Sequence, residues 1–139
     1  TNLAEQTGIS DKIRFHGRLK RDEIARLLLD ADVLTTPSVP TSDGRREGIP
    51  VVLMEAMGSG VPVIASDLSG IPELVNTELT GLLVPPRDAT SLADALERYI
   101  KDPDLRRRLG QAGRDKVVEE FDLNKNAAIL AEFFLKDRR

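Results

Sequence analysis

The chain has 139 residues, 40% of them hydrophobic and 31% charged, with a formal net charge of -3; that is enough chain for one core and too little for two. The acidic balance and the single Tyr with four Phe argue against nucleic acid, whose binders carry a basic face or an aromatic stacking platform. Cysteine is absent, which excludes disulfides and thiolate metal sites. No apolar run reaches the roughly 20 residues that span a bilayer, so a cytoplasmic location is expected.

In chain order, Leu3-Ala4-Glu5-Gln6 reads as the tail of a helix ending near Gly8, as though the chain begins in the middle of a longer one. Lys12 to Gly17 alternates polar and apolar residues and predicts a short strand. Asp22 is placed to cap a helix from Glu23 to about Asp30, with Ile24, Leu27 and Leu28 on one stripe. Asp32 to Thr36 reads as a second strand, stopped by Pro37-Ser38 and followed by a polar loop from Val39 to Arg46.

Pro50 suits a helix start, where its missing N–H costs nothing. That helix carries Val51, Val52, Leu53, Met54, Ala56 and Met57 and should end at Gly58 or Gly60; so apolar a surface implies burial against a sheet. Val61 to Ala65 is a third strand, apolar on both faces as in a covered parallel sheet. Pro72 to Val75 forms one helical turn, and Gly81 to Val84 a fourth strand. Beyond it Ser91 is expected to cap a helix from Leu92 to Lys101, Pro103 to start one reaching about Glu120, and a last helix to span about 123–136. Strands alternating with helices imply an α/β fold with a Rossmann-like parallel sheet and flanking helices, in one partial domain over residues 1–139.

Chemistry concentrates at one corner. Ligands of open α/β sheets sit beyond the carboxyl ends of the strands, and the loop from Pro37 to Ile49 is such an end, leading into a helix N-terminus that favours phosphate. Gly48 permits close backbone approach. Glu47 and Glu55 bracket the corner, and carboxylates accept pairs of sugar hydroxyls well. On spacing alone the same two residues also read as a helix-terminus charge and a solvated helix residue.

The wider string decides between these readings. Arg46-Glu47-Gly48-Ile49-Pro50-Val51-Val52-Leu53-Met54-Glu55-Ala56-Met57, followed by Gly60-Val61-Pro62-Val63-Ile64-Ala65-Ser66, resembles the retaining GT-B glycosyltransferases of group 1, or family 4. The glutamate spacing matches, as do Ala31-Asp32-Val33-Leu34, Gly70-Ile71-Pro72-Glu73-Leu74-Val75 and Gly81-Leu82-Leu83-Val84. The likeness runs from about Lys12 to Phe121. It implies the donor-binding C-terminal domain, in part, of an enzyme that transfers sugar from a nucleotide-diphosphate donor to a polysaccharide or lipid-linked glycan.

By position, the resemblance makes Glu47 the catalytic-site carboxylate on the donor hexose. Gly48, Ile49, Pro50 and Val51 supply backbone around sugar and phosphate, Glu55 takes the ribose hydroxyls, and Arg18 and Leu19 in the turn after Gly17 meet the base. The insert Thr41 to Arg46 resembles the exopolysaccharide, colanic-acid-type branch. Missing are the Gly-Arg turn and Lys that clamp the diphosphate in this family, together with the acceptor-binding N-terminal domain, which is expected as the partner; Arg45 and Arg46 are no evident substitute. No cofactor and no metal is expected, since Asp67 and Glu73 have no third ligand. His16 reads as a structural strand residue. Arg106, Arg107 and Arg108 read as a solvated face, with contact to anionic lipid at the inner membrane surface as the alternative.

Two other functions fit less of the pattern: a nucleotide-binding module without catalysis, and a hydrolase using Glu47 and Glu55 as acid and base. Sheet order stays open. A 3-2-1-4-5-6 order would separate the Lys12 strand from the others, a flavodoxin-like order would keep them closer, and poor folding of the chain by itself is expected.

Overall fold

The computed structural model describes residues 2–40 and 48–136. Its centre is a three-stranded parallel sheet in the order β1 (Leu34–Thr36), β2 (Val63–Ser66), β3 (Leu82–Val84). Thr35 pairs with Ile64, and Ala65 with Leu83. Parallel neighbours need crossovers. The first contains α3 (Val51–Gly58) and the second α4 (Ile71–Leu74).

β2 is buried along its whole length, so its alternating side chains feed two cores. Val63 and Ala65 join Leu53, Ala56 and Met57 of α3, Ile71 and Leu74 of α4, and Leu28 of α2 (Arg21–Leu29). Ile64 joins Leu82, Val84, Ala95, Tyr99 and Leu109 on the opposite face. There the sheet is covered by α5 (Ala89–Lys101) and α6 (Pro103–Glu120). Tyr99 is fully buried and its hydroxyl donates to the Val63 carbonyl at 3.2 Å; burial pushes its pKa up.

The α3–α6 contact is close because it is built on glycine. A Cβ on Gly110 would stand 2.5 Å from the Gly60 carbonyl oxygen, a distance no side chain tolerates. Gly60 itself, at φ 79, turns the chain out of α3, and its N–H donates to the Met57 carbonyl at 2.8 Å, as left-handed helix ends do.

Several expectations need correcting. Lys12 to Gly17 forms no strand: Ser10–Lys12 is a 3-10 turn, the sheet pairs only β1 to β3, and Phe15 is 65% exposed. Alternation supplies one apolar face, but a strand also needs a neighbour for its N–H and C=O groups. Asp22 lies inside the first turn of α2, not at its cap; Lys20 is the cap, and its N–H donates to Glu23 Oε2 at 2.7 Å. Likewise Asp88, not Ser91, caps α5, accepting from Ser91 N at 2.9 Å and from Ser91 Oγ at 2.7 Å.

α1 (Asn2–Gln6) and α7 (Leu123–Lys136) complete the chain. The expected apolar side of α7 is present, but Ile129, Leu130, Phe133 and Phe134 all stand exposed. Among the described residues no helix is long and apolar enough to cross a membrane.

Candidate functional site

Pro50, at φ -62 and ψ 129, is the cap residue of α3 rather than its first helical one. Its carbonyl accepts from Leu53 N at 3.0 Å, which leaves the N–H groups at Val51 and Val52 in the unpaired first turn of the helix. Val51 is 62% exposed, so this turn opens to solvent instead of ending against protein. Gly48 is exposed as well, whereas Ile49 is half-buried and packs on the core.

The segment is seated by a close approach. A Cβ at Gly70 would come within 3.3 Å of Ile49 Cγ1 and 3.8 Å of the Gly48 carbonyl carbon. The turn after β2 thus fits against the entry to α3, and a glycine there leaves room for it.

Glu55 lies four residues beyond Val51, hence on the same helix face and about 6 Å further along the axis at 1.5 Å per residue. Its side chain is 27% exposed and Arg21 Nε lies 3.4 Å from its Oε1. Arg21 opens α2. In the turn that precedes it, where Gly17 has φ 64, Arg18 is exposed and Leu19 half-buried. Glu55 and the Gly48 to Val51 segment therefore belong to one end of α3, while Arg18 and Leu19 lie in the turn that leads into α2. Glu47, with Thr41 to Arg46, lies outside the described residues.

A separate cleft of about 210 Å³ lies at the carboxyl ends of the strands, lined by Pro37, Val39, Ser66, Val84, Pro85 and Arg87 among others. Pro37 and Val39 come from the loop in which the sequence placed the ligand, but Arg18, Leu19, Gly48 to Val51 and Glu55 do not line it. Arg87 has φ 63 and donates from Nη2 to the Pro40 carbonyl at 3.2 Å, tying the turn after β3 to the one after β1. Thr36 Oγ1, at the end of β1, is buried without a hydrogen-bond partner among the described residues.

Elsewhere the reading changes for the arginine run. Arg106 pairs with Asp32 at 3.6 Å, Arg107 with Asp104, and Arg108 donates to the Glu78 carbonyl at 3.5 Å. Arg106 and Arg108 thus join α6 to neighbouring turns and Arg107 pairs within the helix, so the three do not form one free basic face. His16 is exposed on the unpaired segment. Among the described residues no three His, Asp or Glu side chains gather as a cation site requires.

Sequence reasoning missed Arg21 and Arg87. Neither belongs to a motif, and both act across distant parts of the chain; only the non-glycine turn at Arg87, following Pro85-Pro86, carried a local hint.

The chain matches the family described as Glycosyl transferases group 1 over residues 1–116. It is 40% identical over 134 residues to WcaL of Salmonella typhimurium, a candidate colanic acid biosynthesis glycosyltransferase, covering 94% of this chain and 33% of that protein. A GDP-mannose-dependent alpha-(1-6)-phosphatidylinositol monomannoside mannosyltransferase of Mycobacterium tuberculosis is 36% identical, covering 97% and 35%. Among solved structures, sucrose-phosphate synthase from Thermosynechococcus elongatus superposes with a TM-score of 0.85 at 34% identity, over 97% of this chain and 32% of that one. The chain thus spans about a third of the length of the curated relatives it matches.

Proposed function

The chain belongs to the glycosyl transferases of group 1, and from that membership we propose that it binds the nucleotide-diphosphate sugar donor within a longer GT-B glycosyltransferase. The observation that carries this reading is the exposed first turn of α3 with Glu55 one turn further on the same face. Unpaired N–H groups and the helix dipole suit a diphosphate, and a carboxylate one turn away suits the ribose diol of the same nucleotide. Arg18 and Leu19 are the base side of this site.

In the reaction, a departing diphosphate and an oxocarbenium-like sugar must both be stabilised. The backbone N–H groups of Gly48, Ile49 and Val51 serve the first, with Pro50 shaping the helix entry, and Glu47 serves the second as the carboxylate on the hexose. Transfer proceeds with retention and without a metal ion. The acceptor is a polysaccharide or lipid-linked glycan, of the exopolysaccharide, colanic-acid type, presented by an N-terminal domain of the same enzyme in the cytoplasm at the inner membrane face. What supports the exopolysaccharide branch is the likeness to WcaL.

Calorimetry with UDP, GDP and ADP tests the donor site. Glu55→Gln should weaken the nucleotide that binds by about 10- to 100-fold, the loss of a hydrogen-bond set on a charged group. Glu47→Gln should cut turnover of the full-length enzyme and leave nucleotide affinity near the parent's. Silence with all three nucleotides would remove the donor-site reading, and intact turnover in Glu47→Gln would remove the role given to that carboxylate.

A further inference from the structure

Arg21 opens α2 and reaches Glu55 on α3, and we propose that it is a positioning residue for Glu55 during nucleotide binding. The inference rests on the donor-site reading above and adds to it a residue that no motif marks.

Arg21 is the first residue of α2, immediately after the Arg18-Leu19-Lys20 segment. At the other end of α2, Leu28 is buried in the same core as Leu53 of α3, with Ile24 packed against it. That packing fixes where α2 lies against α3. The Arg21 guanidinium then meets Glu55 Oε1 at 3.4 Å. Glu55 is partly exposed at 27%, while Arg21 is 85% exposed, so the arginine approaches the carboxylate from the solvent side.

Such a pair contributes little to folding, since one partner is solvated and salt screens it. Its effect falls on orientation. An ionised carboxylate offers about four acceptor positions on two oxygens. A guanidinium paired at 3.4 Å from Oε1 leaves these positions for a vicinal diol, so arginine and ribose are held together rather than in competition. Freed of Arg21, the Glu55 side chain regains rotamer freedom that the ribose must then remove.

The test is a double-mutant cycle on the full-length enzyme, read by calorimetry with UDP, GDP and ADP and with their 2′,3′-dideoxy counterparts. Arg21→Ala should raise Kd for the ribonucleotide that binds by about three- to tenfold, with an unchanged thermal midpoint. In a Glu55→Gln background the same substitution should change Kd by less than about twofold, because nothing remains to position. The dideoxy nucleotide should likewise be indifferent to Arg21, and Arg21→Lys should recover only part of the loss, since a point charge lacks the planar donor. Equal or tighter binding by Arg21→Ala would overturn the proposal while leaving the donor site standing. So would an undiminished loss in the Glu55→Gln background or with the dideoxy nucleotide. If the parent enzyme binds none of UDP, GDP and ADP, the donor-site reading fails and takes this inference with it.

Discussion

The sheet with α3, α5 and α6 and the two ends of the chain use similar apolar residues to opposite effect. Leu53, Ile64, Tyr99 and Leu109 are fully buried, whereas Leu3, Phe15, Phe133 and Phe134 stand mostly in solvent. Hydrophobicity is therefore no guide to burial here; a partner surface is. The central strand has one on each face, while α7 has an apolar side that no described element covers.

The largest effect should come from breaking the covered region. Leu53→Ala removes a fully buried side chain from between α3 and the sheet, and should cost about 2–5 kcal/mol in urea denaturation. Gly110→Ala tests the same region by excess. Its methyl would meet the Gly60 carbonyl, and a loss of about 1–3 kcal/mol is expected, from a substitution that helix propensity alone would favour.

A smaller, pH-dependent effect belongs to the edge between the two regions. Glu78, itself at φ 65 after β2 and α4, accepts a bidentate pair from Arg98 at 2.6 and 2.9 Å. The hydrogen bond from Arg98, above all, holds its carboxyl below the ordinary range, and Arg98 is raised in turn. Because the folded carboxyl is the stronger acid, its contribution is complete above about pH 4.3, where an unfolded Glu is ionised, and fades as pH falls through the lowered folded value. Both partners are about half exposed, so Glu78→Gln should cost about 0–1 kcal/mol at pH 7 and nothing at pH 2. A constant difference between the two pH values would deny the linkage.

The smallest effect should come from the uncovered end. Phe133→Ser, at an exposed position of α7, should shift stability by less than about 0.5 kcal/mol. A cost like that of Leu53→Ala would mean that α7 is packed in solution, and the comparison would collapse.

The sequence declared much of this. Pro50, Gly60 and Pro103 punctuate the helices, and the all-apolar run at Val61 to Ala65 announced a strand covered on both faces. Where local signals compete, reading failed: Asp88 and Ser91 are both good caps, and the structure uses one as acceptor and the other as its donor. The Lys12 segment failed for a different reason, because alternation is a property of a chain while pairing is a property of two. At the candidate site, the start of α3 and the place of Glu55 on that helix were legible in the sequence. Arg21 was not, because its partner lies 34 residues away on another helix and side-chain reach across a helix pair leaves no periodic trace.

The complete burial of β2 has a kinetic consequence. With β1 and β3 hydrogen-bonded on either edge and a core on each face, the amide protons of Ile64 and Ala65 have no local fluctuation that brings them to water. Their deuterium exchange should proceed only through whole-domain opening, so these two amides serve as a built-in gauge of global stability, readable without denaturant.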